Sequence, residues 1–153
     1  MSSPTAIATV TAVLQHLLTQ ATAGANVTAK PPAAARDGAG GSQLNLFLYA
    51  TQINPAFNNM PVPGQVRNGE SAVPPLPLVL RYLMTAYGAN DDDIAGHSLL
   101  GQAMSALHDH PLLGSADIEG ILPDSGVQNQ IERLRITPET LSLHDMSKLW
   151  ASC

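Results

Sequence analysis

The chain has 153 residues and a formal net charge of −5, a length that suits one domain able to bury about two-thirds of its unfolded surface without help from a disulfide or metal. Its seven Lys and Arg are scattered from Lys30 to Lys148, so no basic patch exists to neutralise phosphates, and DNA and RNA are excluded as partners. Charged residues make up only 12% of the chain, about half the ~25% of an ordinary soluble domain.

No charged side chain precedes Lys30, and none lies between Asp37 and Arg67. Two readings are open. The surface is rich in Thr, Ser, Asn and Gln, or much of it is covered by other subunits, since interface cores are depleted in charge. The single cysteine, Cys153, is the last residue and has no internal partner, which suits a reducing compartment. A terminal thiol has little structure around it to lower its pKa, so a catalytic role is not expected. The N-terminus lacks the basic segment of a secretory signal, and no stretch reaches the ~18 consecutive apolar residues of a membrane helix. The expectation is a cytoplasmic protein without membrane insertion.

Ser3 and Pro4 have the form of an N-cap followed by proline at the first helical position. Ile7, Val10, Leu14, Leu17 and Leu18 then recur at helical spacing to about Gln20. This predicts a helix packed on a sheet, its uncharged reverse face toward a partner. Gly24, Pro31, Pro32 and the glycines between Asp37 and Gly41 punctuate residues 22–43, predicting one short strand near Val27–Lys30 and then a mobile loop. The glycines lack the Lys-Ser/Thr ending and the strand–loop–helix context of a phosphate cradle.

Leu44–Ile53 is the first strong strand, with Leu44, Leu46, Leu48 and Ala50 on one face and Asn45, Phe47 and Tyr49 on the other. Apolar bulk on both faces predicts a central position. Asn54–Pro75 reads as a projecting loop with Phe57, Met60 and Val62 near its tip and Arg67 and Glu70 as its only charges. Leu76–Tyr87 is the second strong strand, and Pro77 predicts an edge position or the start of the strand.

Asn90-Asp91-Asp92-Asp93 reads as capping and macrodipole chemistry at the start of a helix, because the alternating ligands and distal Glu of a calcium loop are missing. That helix is predicted to run to about Asp109 with Ile94, Leu100, Ala103, Met104 and Leu107 as its buried stripe, and Pro111 ends it. A short helix is expected around Ala116–Ile121. Gln130–Ile136 alternates as a third strand, with Arg133 and Arg135 opposite Leu134. Ser142 and Asp145 form a capping signal for a last helix carrying Met146, Leu149 and Trp150. The pattern predicts an α+β domain, a central mixed or antiparallel sheet flanked by helices.

Histidines are the only tempting catalytic or metal residues: His16, His97, His108, His110 and His144. His108 and His110 would be the pair used by a small metal-dependent hydrolase, the enzyme alternative. At a helix end, however, positions two apart point to nearly opposite sides. His97 lies about 16 Å from His108 along a helix, too far for one ion. Capping of free carbonyls explains the pair better. No G-x-S-x-G turn and no Cys–His or paired-carboxylate arrangement is present, so no catalytic, cofactor-binding or metal residue is assigned.

Several segments, in order, resemble a known family. They are Ala6–Gln15, Leu44–Tyr49 with Asn54-Pro55, Leu78–Leu83, His97–Gly101 running into Leu107–Pro111, and Thr137-Pro138 through Leu141–Trp150. Together they resemble the N-terminal domain of the tube-terminator (cap) proteins of extracellular contractile injection systems, which are phage-tail-like particles. The resemblance implies a tail-terminator-like fold and a non-enzymatic role. It implies a hexameric ring at the end of the inner tube and sheath that stops their growth, with inner tube protein and sheath protein as partners. It also implies assembly in the cytoplasm into a particle released outside the cell. Phe57, Met60, Val62 and Arg67 are then the candidate contacts with a neighbouring subunit or the last tube ring, the alternative being a loop folded back on its own sheet. A generic phage-tail completion protein is a further alternative with the same architecture. The family pattern continues past Leu149-Trp150 into a further strand, whereas this chain stops at Cys153. The expectation is therefore a single domain over residues 1–153 that lacks the closing strand and extension, or part of a longer product.

Overall fold

The structure, a computed structural model, describes residues 4–57, 77–123 and 133–153. In chain order the elements are α1 (Ala6–Ala21), β1 (Asn26–Thr28), β2 (Gln43–Ile53), β3 (Leu78–Tyr87), α2 (Asp93–Asp109), β4 (Leu112–Gly114), α3 (Ser115–Ile121), β5 (Arg133–Arg135) and α4 (Leu143–Ala151). The first three strands form one mixed sheet in the order β1-β2-β3, with β1 parallel and β3 antiparallel to the central β2. The α+β class, the central place of β2 and the edge place of β3 follow the sequence pattern.

Strand alternation explains how this sheet divides its two faces. Leu44, Leu46, Met84 and Ala86 project to the side where α1 and α2 lie, and join Leu14, Leu18, Val27, Leu99 and Ala103 in the main core. Burying one such leucine contributes about 1.5–3 kcal/mol. The Tyr82 hydroxyl shares a 2.7 Å hydrogen bond with Thr11 of α1 on the same side, and burial pushes its pKa up. The second face of α1 turns Val13 and Leu17 onto Leu113 and Ile118, so this one helix serves two apolar clusters.

Gln43 and Asn45 project to the opposite face and are buried there. The Asn45 amide makes three hydrogen bonds. Its Oδ1 accepts from Thr28 Oγ1 at 2.8 Å and from the Lys30 N–H at 3.1 Å, and its Nδ2 donates to the Lys30 carbonyl at 2.9 Å. Gln43 Nε2 donates to Thr28 Oγ1 at 2.8 Å and to the Ala35 carbonyl at 2.6 Å. Further along, Arg36 donates to the Gly41 carbonyl, pairs with Asp91 at 3.0 Å and lies 5.1 Å from the Tyr87 ring centroid. The segment expected to be a mobile loop is thus tied across the sheet, because two buried amides need partners.

Four other expectations are corrected. Helix α1 begins at Ala6 with Thr5 as its N-cap, so Pro4 lies outside the first helical position. The register of β2 shifts between Leu48 and Ala50, which places Ala50 opposite Arg81, on the face away from Leu48. A bulge at Tyr49 accounts for this, since one extra residue inverts the alternation beyond it. The third predicted strand does not extend the main sheet. Its described part, β5, pairs antiparallel with β4 as a separate ribbon, Leu113 opposite Leu134. The stripe of α2 is rotated as well: Gly96, Leu99, Ala103 and Ala106 face inward, while Ile94 and Met104 face out.

Small residues cause that rotation. A Cβ at Gly96 would lie 3.1 Å from the Gly88 nitrogen, so α2 seats its glycine directly on the end of β3. A Cβ at Gly88 would overlap the Asp92 carbonyl oxygen and come within 2.9 Å of the Gly96 nitrogen. Gly88→Ala is therefore expected to cost about 1–3 kcal/mol by overpacking, lowering the thermal midpoint by about 2–4 °C per kcal/mol. Calorimetry of the variant checks this.

Candidate assembly surface

Helix α2 starts where the Asp cluster predicts. Asp92 Oδ1 accepts from the Ile94 N–H at 2.9 Å and the Ala95 N–H at 3.4 Å. Asn90 and Asp91 adopt positive φ of 55° and 58° just before it, conformations that Asn and Asp tolerate. With Gly96 and the alanines turned to the sheet, the outward side presents Ile94, 81% exposed, and Met104, 56% exposed. No Asp, Glu, Lys or Arg occurs between Asp93 and Asp109. The outward side of this four-turn helix is therefore free of Asp, Glu, Lys and Arg between its ends, and sets Ile94 and Met104 among the polar His97, Ser98, Gln102, Ser105 and His108.

A second exposed region is the far half of the sheet. Burial is complete from Gln43 to Leu46 and then declines, until Ile53 is 51% exposed. Every residue of β3 is only partly buried. Here the bulge points Tyr49 to the same side as Arg81, and Glu139 bridges them. Glu139 Oε2 accepts from the Tyr49 hydroxyl at 2.9 Å, and Oε1 lies 3.0 Å from Arg81 Nε. Arg81 also donates to Gln52 at 2.8 Å. Partial burial raises the Tyr49 pKa, and the Glu139 carboxylate adds to the rise while Arg81 opposes it. This cluster ties Glu139, three residues before Ser142, to the sheet. Ser142 caps α4 by accepting from the Asp145 N–H at 3.1 Å. The helix buries no residue and leaves Leu143 87% and Trp150 45% exposed.

Of the candidate contact residues, Phe57 lies in a 3₁₀ turn, Pro55–Phe57, directly after β2. Met60, Val62 and Arg67 lie outside the described residues. His108 sits in the last turn of α2, and His110 is its C-cap, with ring Nδ1 2.9 Å from the Ala106 carbonyl oxygen. Among the described residues, no three His, Cys, Asp or Glu side chains come together as a metal-binding set. No helix of the described residues is long and apolar enough to cross a membrane.

The family described as the Pvc16 N-terminal domain matches residues 9–153 of the chain. No curated protein sequence matches. Among solved structures, the fold is similar to the sheath/tube terminator of PVC, an extracellular contractile injection system determined by cryo-EM in its extended state. The TM-score is 0.64 and the identity 15%, over 99% of this chain and 51% of the terminator chain. This chain therefore spans about half the length of that terminator.

The contact between His110 and the Ala106 carbonyl is a helix-end interaction, which contributes about 0.3–1 kcal/mol. His110→Ala should lower stability by no more than this in a urea titration. A larger loss would show that the ring holds more than the helix terminus.

Proposed function

The chain belongs to the Pvc16 N-terminal domain family, and from that premise we propose that it is a structural, non-catalytic terminator of a contractile injection system. In this reading it forms a hexameric ring on the distal end of the inner tube and sheath and ends their polymerisation. It assembles in the cytoplasm and leaves the cell as part of a phage-tail-like particle. The observation that carries the reading is the likeness of almost the whole chain to a sheath/tube terminator. The surface supports it. A ring that closes on itself and sits on a tube needs several faces free of net charge, and α2 and the far half of the sheet supply two. The segment after β2, with Phe57, Met60, Val62 and Arg67, is proposed as a third contact, with a neighbouring ring subunit or the last tube ring.

Tube protein of the same system, polymerised with and without the chain, tests the reading by electron microscopy. Tubes of bounded length with the chain and unbounded length without it are expected. Equal length distributions would refute it. Ile94→Glu combined with Met104→Glu should leave the fold within about 0.5 kcal/mol, as exposed substitutions usually do, yet release tube length from control.

A further inference from the structure

Among the described residues the main sheet has two unpaired edges, and the hydrogen-bond register shows which groups they offer. Asn54 N–H donates to the Pro77 carbonyl at 2.9 Å, which makes that opposed pair a hydrogen-bonded one. Alternation then turns the N–H and C=O of Val79 and Arg81 toward β2, and those of Leu78, Leu80, Tyr82, Met84 and Ala86 outward. On the other side, the Asn26 N–H donates to the Ser42 carbonyl at 2.9 Å. Leu44 therefore faces β1, and Leu46 and Leu48 face the same way. Strand β1 pairs only with Gln43–Asn45. The chain then turns off at Pro31, and no other described strand pairs with the β2 edge from Leu46 onward. A hollow between Thr11, Lys30, Pro31, Leu46 and Leu48 lies beside that edge. Among the described residues no strand and no backbone hydrogen bond covers either row.

Exposed edges in soluble proteins are normally guarded by Lys, Pro or short strand length. Here β3 runs ten residues with Arg81 as its only charge, and that charge is engaged by Glu139. Strand β2 has no charged residue at all. The two open stretches, Leu78–Tyr87 and Leu46–Ile53, have similar length. They sit on opposite sides of one sheet, as a head-to-tail interface requires. The bulge at Tyr49 bends β2, which a sheet closing round an axis needs.

We infer that the outer edge of β3 in one copy adds by strand pairing to the open β2 edge of the next copy, so that the ring interface is a continuous intersubunit sheet. This rests on the ring reading above and specifies its interface. Backbone bonds then supply the affinity, and the apolar side chains at the junction fix the register.

The test uses the complete 153-residue chain with tube protein, sized by light scattering and followed by hydrogen–deuterium exchange. In the monomer the amides of Leu78, Leu80, Tyr82 and Met84 face water and exchange quickly, while those of Val79 and Arg81 are protected. In the ring the outward set should slow by about a hundredfold, as paired strands do. Two proline variants separate edge from core. Leu80→Pro removes an outward N–H and should keep the monomer folded while abolishing the ring. Val79→Pro removes an inward one and should unfold the β2–β3 ladder. A ring whose outward amides still exchange at the monomer rate overturns the edge interface and leaves the terminator reading standing. A folded Leu80→Pro chain that assembles normally does the same. A wild-type chain that never leaves the monomer overturns both.

Discussion

The first half of β2 is buried on both faces, and this double burial decides where the remaining elements can lie. Leu44 and Leu46 need apolar cover, and α1 and α2 provide it on one side. Gln43 and Asn45 need hydrogen-bond partners, since leaving such a buried group unsatisfied costs about 1–3 kcal/mol. Thr28, Lys30 and Ala35 supply them on the other side. Meeting that demand draws the chain away from β2 after only three paired residues. The tie that completes the core thus also ends the β1 pairing at Asn45.

The same economy appears at α2. Gly88 and Gly96 allow helix and strand backbones to meet without side chains between them. That close approach rotates the helix, so its larger apolar residues, Ile94 and Met104, are left outside. Past Phe47 the described residues give the sheet little cover, and the Tyr49–Arg81–Glu139 cluster is the polar anchor there. Among the described residues β2 is well buried at its Gln43 end and exposed at its Ile53 end. That exposed end and the outer face of α2 carry few charges, as expected of surfaces that meet other subunits.

Much of this was legible before any coordinates. The alternation of Leu44–Phe47 and the run Leu78–Met84 read directly as strands, and Pro77 signalled the edge. The Asp92 and Ser142 caps marked two helix starts because each offers a side-chain oxygen to a free N–H. What escaped was carried by residues whose burial is not apolar. Asn45 and Gln43 look like surface residues until their partners are placed. Gly96 and Ala106 look neutral beside Ile94 and Met104, although small size is what lets α2 dock, and of the expected stripe Ala103 is the residue found fully buried. The ribbon partner β4, three residues long after Pro111, has no room to show a period. Of the predicted contacts, only the backbone of Phe57 falls within the described residues, so the α2 face and the sheet edges take the place of the loop tip in the description of the surface.

The most direct test of this account is a cryo-EM reconstruction of the distal end of tubes assembled with the chain. The account predicts a ring of copies of this fold on the last tube layer, with β3 of each copy against β2 of the next. Bare tube ends, with the chain left unbound in solution, would contradict it.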